Sequence, residues 1–151
     1  MAWLFAFLHH AAAFALVAAL AVELVLVRGE LSVGTARKLQ ATDMALGLSA
    51  AVLLVVGLLR VIYFEKGAAY YFHNVPFVAK LSLFVVVALA SIYPTLVFLS
   101  WSAPLKRGEL PAVAPATLRA VRRIIHFELA GVVLILLCAA LMARGIGSMA
   151  S

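Results

Sequence analysis

Four long apolar runs, separated by short polar links, constrain this chain more than any other feature of its sequence. The runs cover about residues 3–27, 44–64, 77–101 and 120–143. Each is long enough to cross the hydrocarbon core of a bilayer, which takes about 20 helical residues. They are continuously apolar, whereas strands of membrane barrels alternate apolar and polar positions. The sequence therefore predicts an all-α integral membrane protein with four spans.

The composition excludes most water-soluble classes of protein. Hydrophobic residues make up 67% of the 151 residues and charged residues only 12%, against about 45–50% and 25% in soluble domains. A soluble domain of this length buries only about 68–70% of its chain surface, so it could not hide this much apolar surface. The first run is also too long for a cleaved signal peptide, and no Lys or Arg precedes it.

The links cover residues 28–42, 65–76 and 102–118, which is short enough to make consecutive helices antiparallel neighbours. We therefore expect one domain over residues 1–151, folded as an up-down-up-down four-helix bundle. The only cysteine is Cys138, inside the fourth run, so no intrachain disulfide can form.

The formal net charge of +6 comes from basic residues placed mostly in the links, which favours contact with lipid headgroups over nucleic acid as a partner. The first and third links and the start of the fourth run hold eight of them: Arg28, Arg37, Lys38, Lys106, Arg107, Arg119, Arg122 and Arg123. The opposite side holds four. Because cytoplasmic loops carry more Lys and Arg, this distribution predicts a bacterial inner-membrane protein with both termini in the periplasm.

An outer group of polar residues is expected near the periplasmic mouth of the bundle. It comprises His9, His10, Arg60 and Lys80, joined by Glu65 and His73 from an aromatic link over residues 64–76 that we expect to lie on the membrane interface and cover the mouth. Imidazole is a common haem and metal ligand. One hypothesis is a haem site using all of these except Glu65, with His9 and His10 as metal ligands. The alternatives are lysine and arginine side chains that reach headgroups with histidines bonded to backbone carbonyls, a proton relay, or a small anionic ligand.

An inner group comprises Glu23, Asp43, His126 and Glu128. We expect Asp43, with Thr42, to cap the second helix, and Glu23 to pair with Arg28 or a basic residue of the fourth span. Glu128 lies opposite a basic stripe on its own helix. If Glu128 faces away from the bundle interior, it needs a partner. This pattern suggests a homodimer formed through the fourth span.

The third span carries a polar stripe of Lys80, Ser91 and Thr95 that should face the bundle interior. Pro94 removes a backbone donor and predicts a kink, and the two hydroxyls can satisfy the groups that it frees. We therefore favour a structural role for Ser91 and Thr95 over ligand binding.

Several motifs of soluble enzymes are missing. The sequence contains no Gly-rich phosphate loop, no nucleophile elbow, no Cys-x-x-Cys and no His-Glu-x-x-His. If the chain is an enzyme, a haem-dependent membrane oxidoreductase is the class that its residues leave open.

Five short segments carry a family resemblance: LHHAAAF at 8–14, YFEKG at 63–67, AKL at 79–81, SIYPT at 91–95 and MARG at 142–145. They resemble an uncharacterised bacterial family of small four-helix inner-membrane proteins. The chain is more distantly similar to haem-dependent protoporphyrinogen oxidases and copper-resistance D membrane proteins, through His9 or His10 and Lys80-Leu81. That second resemblance implies a b-type haem or porphyrin site at these positions.

Two hypotheses of function follow from the sequence. The first is a small membrane protein that binds b-type haem or a metal at the outer end of the bundle and has a redox role. The second is a non-catalytic subunit or assembly factor of a larger membrane complex, which fits the small residues that allow close helix contact, such as Gly47, Gly57 and Gly131. A proton or small-solute carrier would require an oligomer of such a short chain.

Overall fold

The computed structural model describes residues 1–64 and 73–146. Four long helices dominate this part of the chain: α1 (Ala2–Arg28), α2 (Val33–Leu59), α3 (Val75–Ser100) and α5 (Pro115–Ala143), with a short α4 (Ser102–Lys106) after α3. Each long helix is apolar and long enough to cross a membrane. The predicted all-α four-helix membrane bundle is confirmed.

The start of α2 differs from the expectation for the first link. Ser32 caps this helix, and its hydroxyl accepts a hydrogen bond from the Thr35 amide at 3.0 Å. Asp43 therefore lies well inside α2, and its predicted role as a helix cap is wrong. The polar residues before Asp43 suggested a loop, but they continue the helix outside the apolar run because Arg, Lys and Gln are good helix formers.

Helix α3 begins with a regular cap and continues through its internal proline. The Asn74 side chain accepts a hydrogen bond from the Phe77 amide at 3.1 Å, and Pro76 occupies the first turn, where its missing donor costs nothing. At the preceding end of α2, the chain forms a π-helical turn over Arg60–Phe64. Such turns re-aim side chains and are frequent at functional sites.

The bundle consists of two closely packed helix pairs. Helix α1 packs mainly on α2, and α3 packs mainly on α5, while the two pairs meet through α1 and α5 and less extensively through α2 and α3. Gly131 allows the close contact of α3 with α5, because a Cβ atom at this position would overlap the Val87 side chain. Small residues at such contacts let membrane helices gain van der Waals packing.

The buried apolar core lies toward one end of the bundle. We call this the Arg28 end, where α1 ends and α2 begins; its most buried large side chains include Leu20, Leu39, Phe98 and Ile125. At the opposite end, which we call the His9 end, the core cluster consists of Val61 and Phe77 with two partly buried neighbours. The two ends are therefore packed very differently.

Candidate functional site

A cavity of about 310 Å³ lies at the His9 end, between all four long helices. Its polar lining residues are His9, His10, Arg60 and Lys80, and the other described lining residues are apolar. These four residues were predicted from the sequence to lie at one level, and the structure brings them to one cavity. No acidic side chain is among the described residues that line it.

His9 and His10 have different surroundings, although they are adjacent in α1. His9 is half-buried, packs against Gly57 and lies close enough to Arg60 and Lys80 for electrostatic interaction. His10 is exposed, and its Nδ1 lies 2.6 Å from the Ala6 carbonyl. The two rings are 6.0 Å apart and nearly perpendicular. His9 is therefore the histidine that faces the bundle interior, a choice that the sequence left open.

Gly57 is the residue that makes room for His9. A Cβ atom at position 57 would lie 3.1 Å from Cε1 of the imidazole, which is closer than ordinary contact. The Nδ1 atom of His9 is buried and has no hydrogen-bond partner among the described residues. Sequence reasoning noted Gly57 only as a small residue for helix packing, because its alignment with His9 depends on the register between α1 and α2.

Arg60 and Lys80 reach the cavity from the ends of two helices. Arg60 opens the π-helical turn that ends α2, and Lys80 lies one turn into α3. Both side chains are half-buried, and they interact electrostatically with each other. The Lys80 ammonium lies 5.3 Å from the centre of the Phe77 ring, within the range of a cation–π contact. Cys138 on α5 is also near Lys80.

The expected cover of the bundle mouth falls largely outside the described residues. Glu65 and the aromatic residues at 70–72 belong to the segment 65–72, so their predicted position stays a prediction. His73 is described, is exposed just before α3, and is not among the residues that line the His9-end cavity. The structure thus groups four of the five predicted cofactor-binding residues and leaves His73 apart.

A second cavity, of about 340 Å³, occupies the middle of the bundle. Its walls are apolar except for Asp43, Ser91, Thr95 and Glu128. It adjoins the His9-end cavity, and the two share the lining residues Ala13, Leu53, Phe84, Ile135 and Leu136. We call it the mid-bundle cavity. The predicted polar stripe of α3 therefore faces the interior, with Lys80 in one cavity and the two hydroxyls in the other.

Three buried carboxyl groups meet around the mid-bundle cavity. Asp43 and Glu128 line it, and Glu23 lies beside it, close enough to interact electrostatically with both. The Thr95 hydroxyl donates to Asp43 Oδ1 at 2.8 Å, rather than satisfying the backbone near Pro94 as expected. The oxygens of Glu23 and Glu128 have no hydrogen-bond partner among the described residues. The sequence analysis missed this grouping, because it placed Asp43 at a helix start.

The basic residues at the Arg28 end have structural partners. Arg28 lies 2.7 Å from His126 Nε2, and His126 Nδ1 lies 2.6 Å from the Arg122 carbonyl. Arg122 donates to the Val27 carbonyl at 2.8 Å, which ties the start of α5 to the end of α1. The predicted pairing of Glu23 with Arg28 is wrong, since Arg28 binds His126 instead. For His126, the structure shows a role in linking helices.

The argument for a dimer through the fourth span changes with the position of Glu128. This residue is buried inside the bundle, whereas Arg119, Arg123 and His126 on the other side of α5 are exposed. Because a side chain inside the bundle needs no partner from a second subunit, Glu128 gives no reason for a dimer. A homodimer and a larger complex both stay predictions.

The two neighbouring histidines do not form a metal cluster with other ligands in the described part of the chain. Across residues 1–64 and 73–146, no group of three or more His, Cys, Asp or Glu side chains is placed to hold a metal ion. His9 points inward and His10 is exposed, so metal binding by the two together stays a prediction without geometric support.

Comparison with known protein families agrees with this structure. Residues 1–147 match a family described as predicted membrane protein, DUF2214. The chain belongs to this family. The match covers nearly the whole chain and confirms the first resemblance, to an uncharacterised family of membrane proteins. Searches of curated proteins and of solved structures gave no match, so the likeness to haem-dependent oxidases stays a prediction.

Proposed function

We propose that this protein binds an amphipathic ligand with anionic groups in its His9-end cavity, and that the ligand is a b-type haem. The observation that carries the proposal is the meeting of His9, Arg60 and Lys80 around one cavity whose other described walls are apolar. The charge distribution along the chain supports a bacterial inner membrane, with this cavity and both termini on the periplasmic side.

The cavity suits a molecule with an apolar body and acidic substituents. Its apolar walls would contact the body, and the guanidinium of Arg60 and the ammonium of Lys80 would form charge-assisted hydrogen bonds with carboxylates. A cation inside a membrane protein is costly and commonly functional, and Lys80 is half-buried within α3. The volume of about 310 Å³ lies at the lower end of the range for small-molecule sites, about 300–1,000 Å³.

His9 distinguishes haem from other amphipathic anions. An imidazole is the usual axial ligand of haem iron, and His9 is the histidine that packs into the bundle, with a buried nitrogen that has no described hydrogen-bond partner. His9 would hold the iron, while Arg60 and Lys80 would hold the two propionates. A haem bound there would supply one-electron redox chemistry, which is the basis for proposing a redox role.

The test is the absorption spectrum of purified protein during titration with haemin. We expect wild type to develop a Soret band that saturates at one haem per chain. His9→Ala should lose the band, whereas His10→Ala, its exposed neighbour, should keep it. Titration with metal-free protoporphyrin separates the two parts of the site, because its binding should depend on Arg60 and Lys80 but not on His9.

A Soret region that stays featureless in wild type would overturn the proposal, and so would equal spectra for the two alanine variants. A haem-free protein that co-purifies with a larger membrane complex would instead support a non-catalytic subunit or assembly factor.

A further inference from the structure

The mid-bundle cavity carries a separate inference, because its chemistry is opposite to that of the His9 end. Glu128 is 1% exposed and lines the cavity, and both of its oxygens lack a hydrogen-bond partner among the described residues. Asp43 lines the same cavity and is 7% exposed, and Glu23 beside it is fully buried. No Lys or Arg is among the described lining residues.

We infer that the mid-bundle cavity binds an organic cation, a molecule with a compact apolar body and an ammonium group. A buried carboxyl without a hydrogen-bond donor is costly unless it meets a cation or keeps its proton. An ammonium has three donors and no acceptor, which matches a site made of carboxylate and hydroxyl oxygens. Glu128 is the central acceptor, and Asp43 and Ser91 are the neighbouring ones.

The shape of the site favours an organic cation over a metal ion. A metal requires several oxygen ligands within about 2.0–2.6 Å, and the described residues hold no such cluster of acidic side chains. The cavity measures about 340 Å³, and most of its lining is apolar, so it has room for a hydrocarbon body. Glu23 does not line the cavity and would act on the ligand through its charge.

The experiment measures binding of adamantan-1-ammonium to purified protein by calorimetry at fixed pH, with adamantan-1-ol as the uncharged control of nearly the same shape. We expect saturable binding of the ammonium compound and weak or no binding of the alcohol. Loss of a hydrogen bond to a charged group costs about 1.5–3 kcal/mol, so Glu128→Gln should weaken binding roughly tenfold or more. Glu23→Gln should weaken it less.

Two further variants make the result decisive. Glu30→Gln changes an exposed acidic residue outside the cavity and should leave binding unchanged. Gly47→Leu keeps every carboxyl but fills space, because Gly47 lines the cavity and a Cβ atom there would meet nothing within 4 Å. It should abolish binding even if Glu128→Gln proves poorly folded. Absent saturable binding, equal affinity for the alcohol, or an unchanged affinity in folded Glu128→Gln would each overturn the inference.

Discussion

The two ends of this bundle are built from the same four helices but use their polar residues in different ways. At the Arg28 end, large apolar side chains pack closely and polar side chains bond to backbone or to each other, as Gln40 does with the Phe98 carbonyl at 2.6 Å. At the His9 end, a half-buried imidazole and two cations surround a cavity. Well-bonded polar groups stabilise helix contacts, whereas charged groups around a void lower stability and make a binding site possible.

The comparison assigns different roles to the two regions. We expect substitutions at the Arg28 end to change the free energy of unfolding, and substitutions at the His9 end to change ligand binding with little loss of stability. Four predictions test this division, and each one sets a residue of one region against a matched residue of another.

Truncation of a core aromatic residue should have the largest effect. Phe98 is 1% exposed and stacks edge to face on Trp101, with ring centres 5.0 Å apart, so Phe98→Ala should lower the free energy of unfolding by roughly 3 kcal/mol. Phe84→Ala removes the same atoms from a side chain that already borders both cavities, and it should cost clearly less. Thermal unfolding in detergent micelles, followed by circular dichroism, measures both. Equal losses would contradict the division into a packed and an open region.

A methyl group added at a helix contact should have the next largest effect. Gly131→Ala would force α3 and α5 apart at Val87, and overpacking of this kind costs about 1–3 kcal/mol. Gly47→Ala adds the same methyl group beside the mid-bundle cavity, where nothing lies within 4 Å of the new Cβ. Because alanine favours helix more than glycine, this control should be neutral or slightly stabilising. The unfolding midpoints of the two variants should therefore shift in opposite directions or differ clearly in size.

Replacement of one polar residue at each end by methionine should separate stability from binding. Gln40→Met removes the donor to the Phe98 carbonyl and to Ser102, which should cost about 1 kcal/mol. Lys80→Met removes a half-buried charge from the His9-end cavity, so the unfolding midpoint should equal or exceed that of wild type, while affinity for protoporphyrin falls. A strongly destabilised Lys80→Met would show that Lys80 has a structural role instead.

The sequence predicted the helices better than the relations between them. Apolar runs set four spans, because a membrane leaves helices as the simplest way to satisfy the backbone, and the family match confirmed the class. The His9–Arg60–Lys80 grouping was predicted from depth along each helix alone. The Asp43–Thr95 bond and the contact of Gly57 with His9 were not, since both depend on helix start and on rotation about the helix axis. A polar stretch that continues a helix looks like a loop when only hydrophobicity is read.

The smallest expected effect concerns the position of the His9 ring. In Gly57→Ala the added Cβ would lie 3.1 Å from Cε1 of His9, so the imidazole must shift by a few tenths of an ångström. Since the side chain is half-buried beside a cavity, it has room to move, and the unfolding midpoint should stay near that of wild type. Haemin affinity should fall a few-fold, because an axial ligand depends on ring orientation, whereas metal-free protoporphyrin should bind as before. If both ligands bind as tightly as in wild type, His9 does not hold the iron, and the His9-end cavity would recognise only the charge and shape of its ligand.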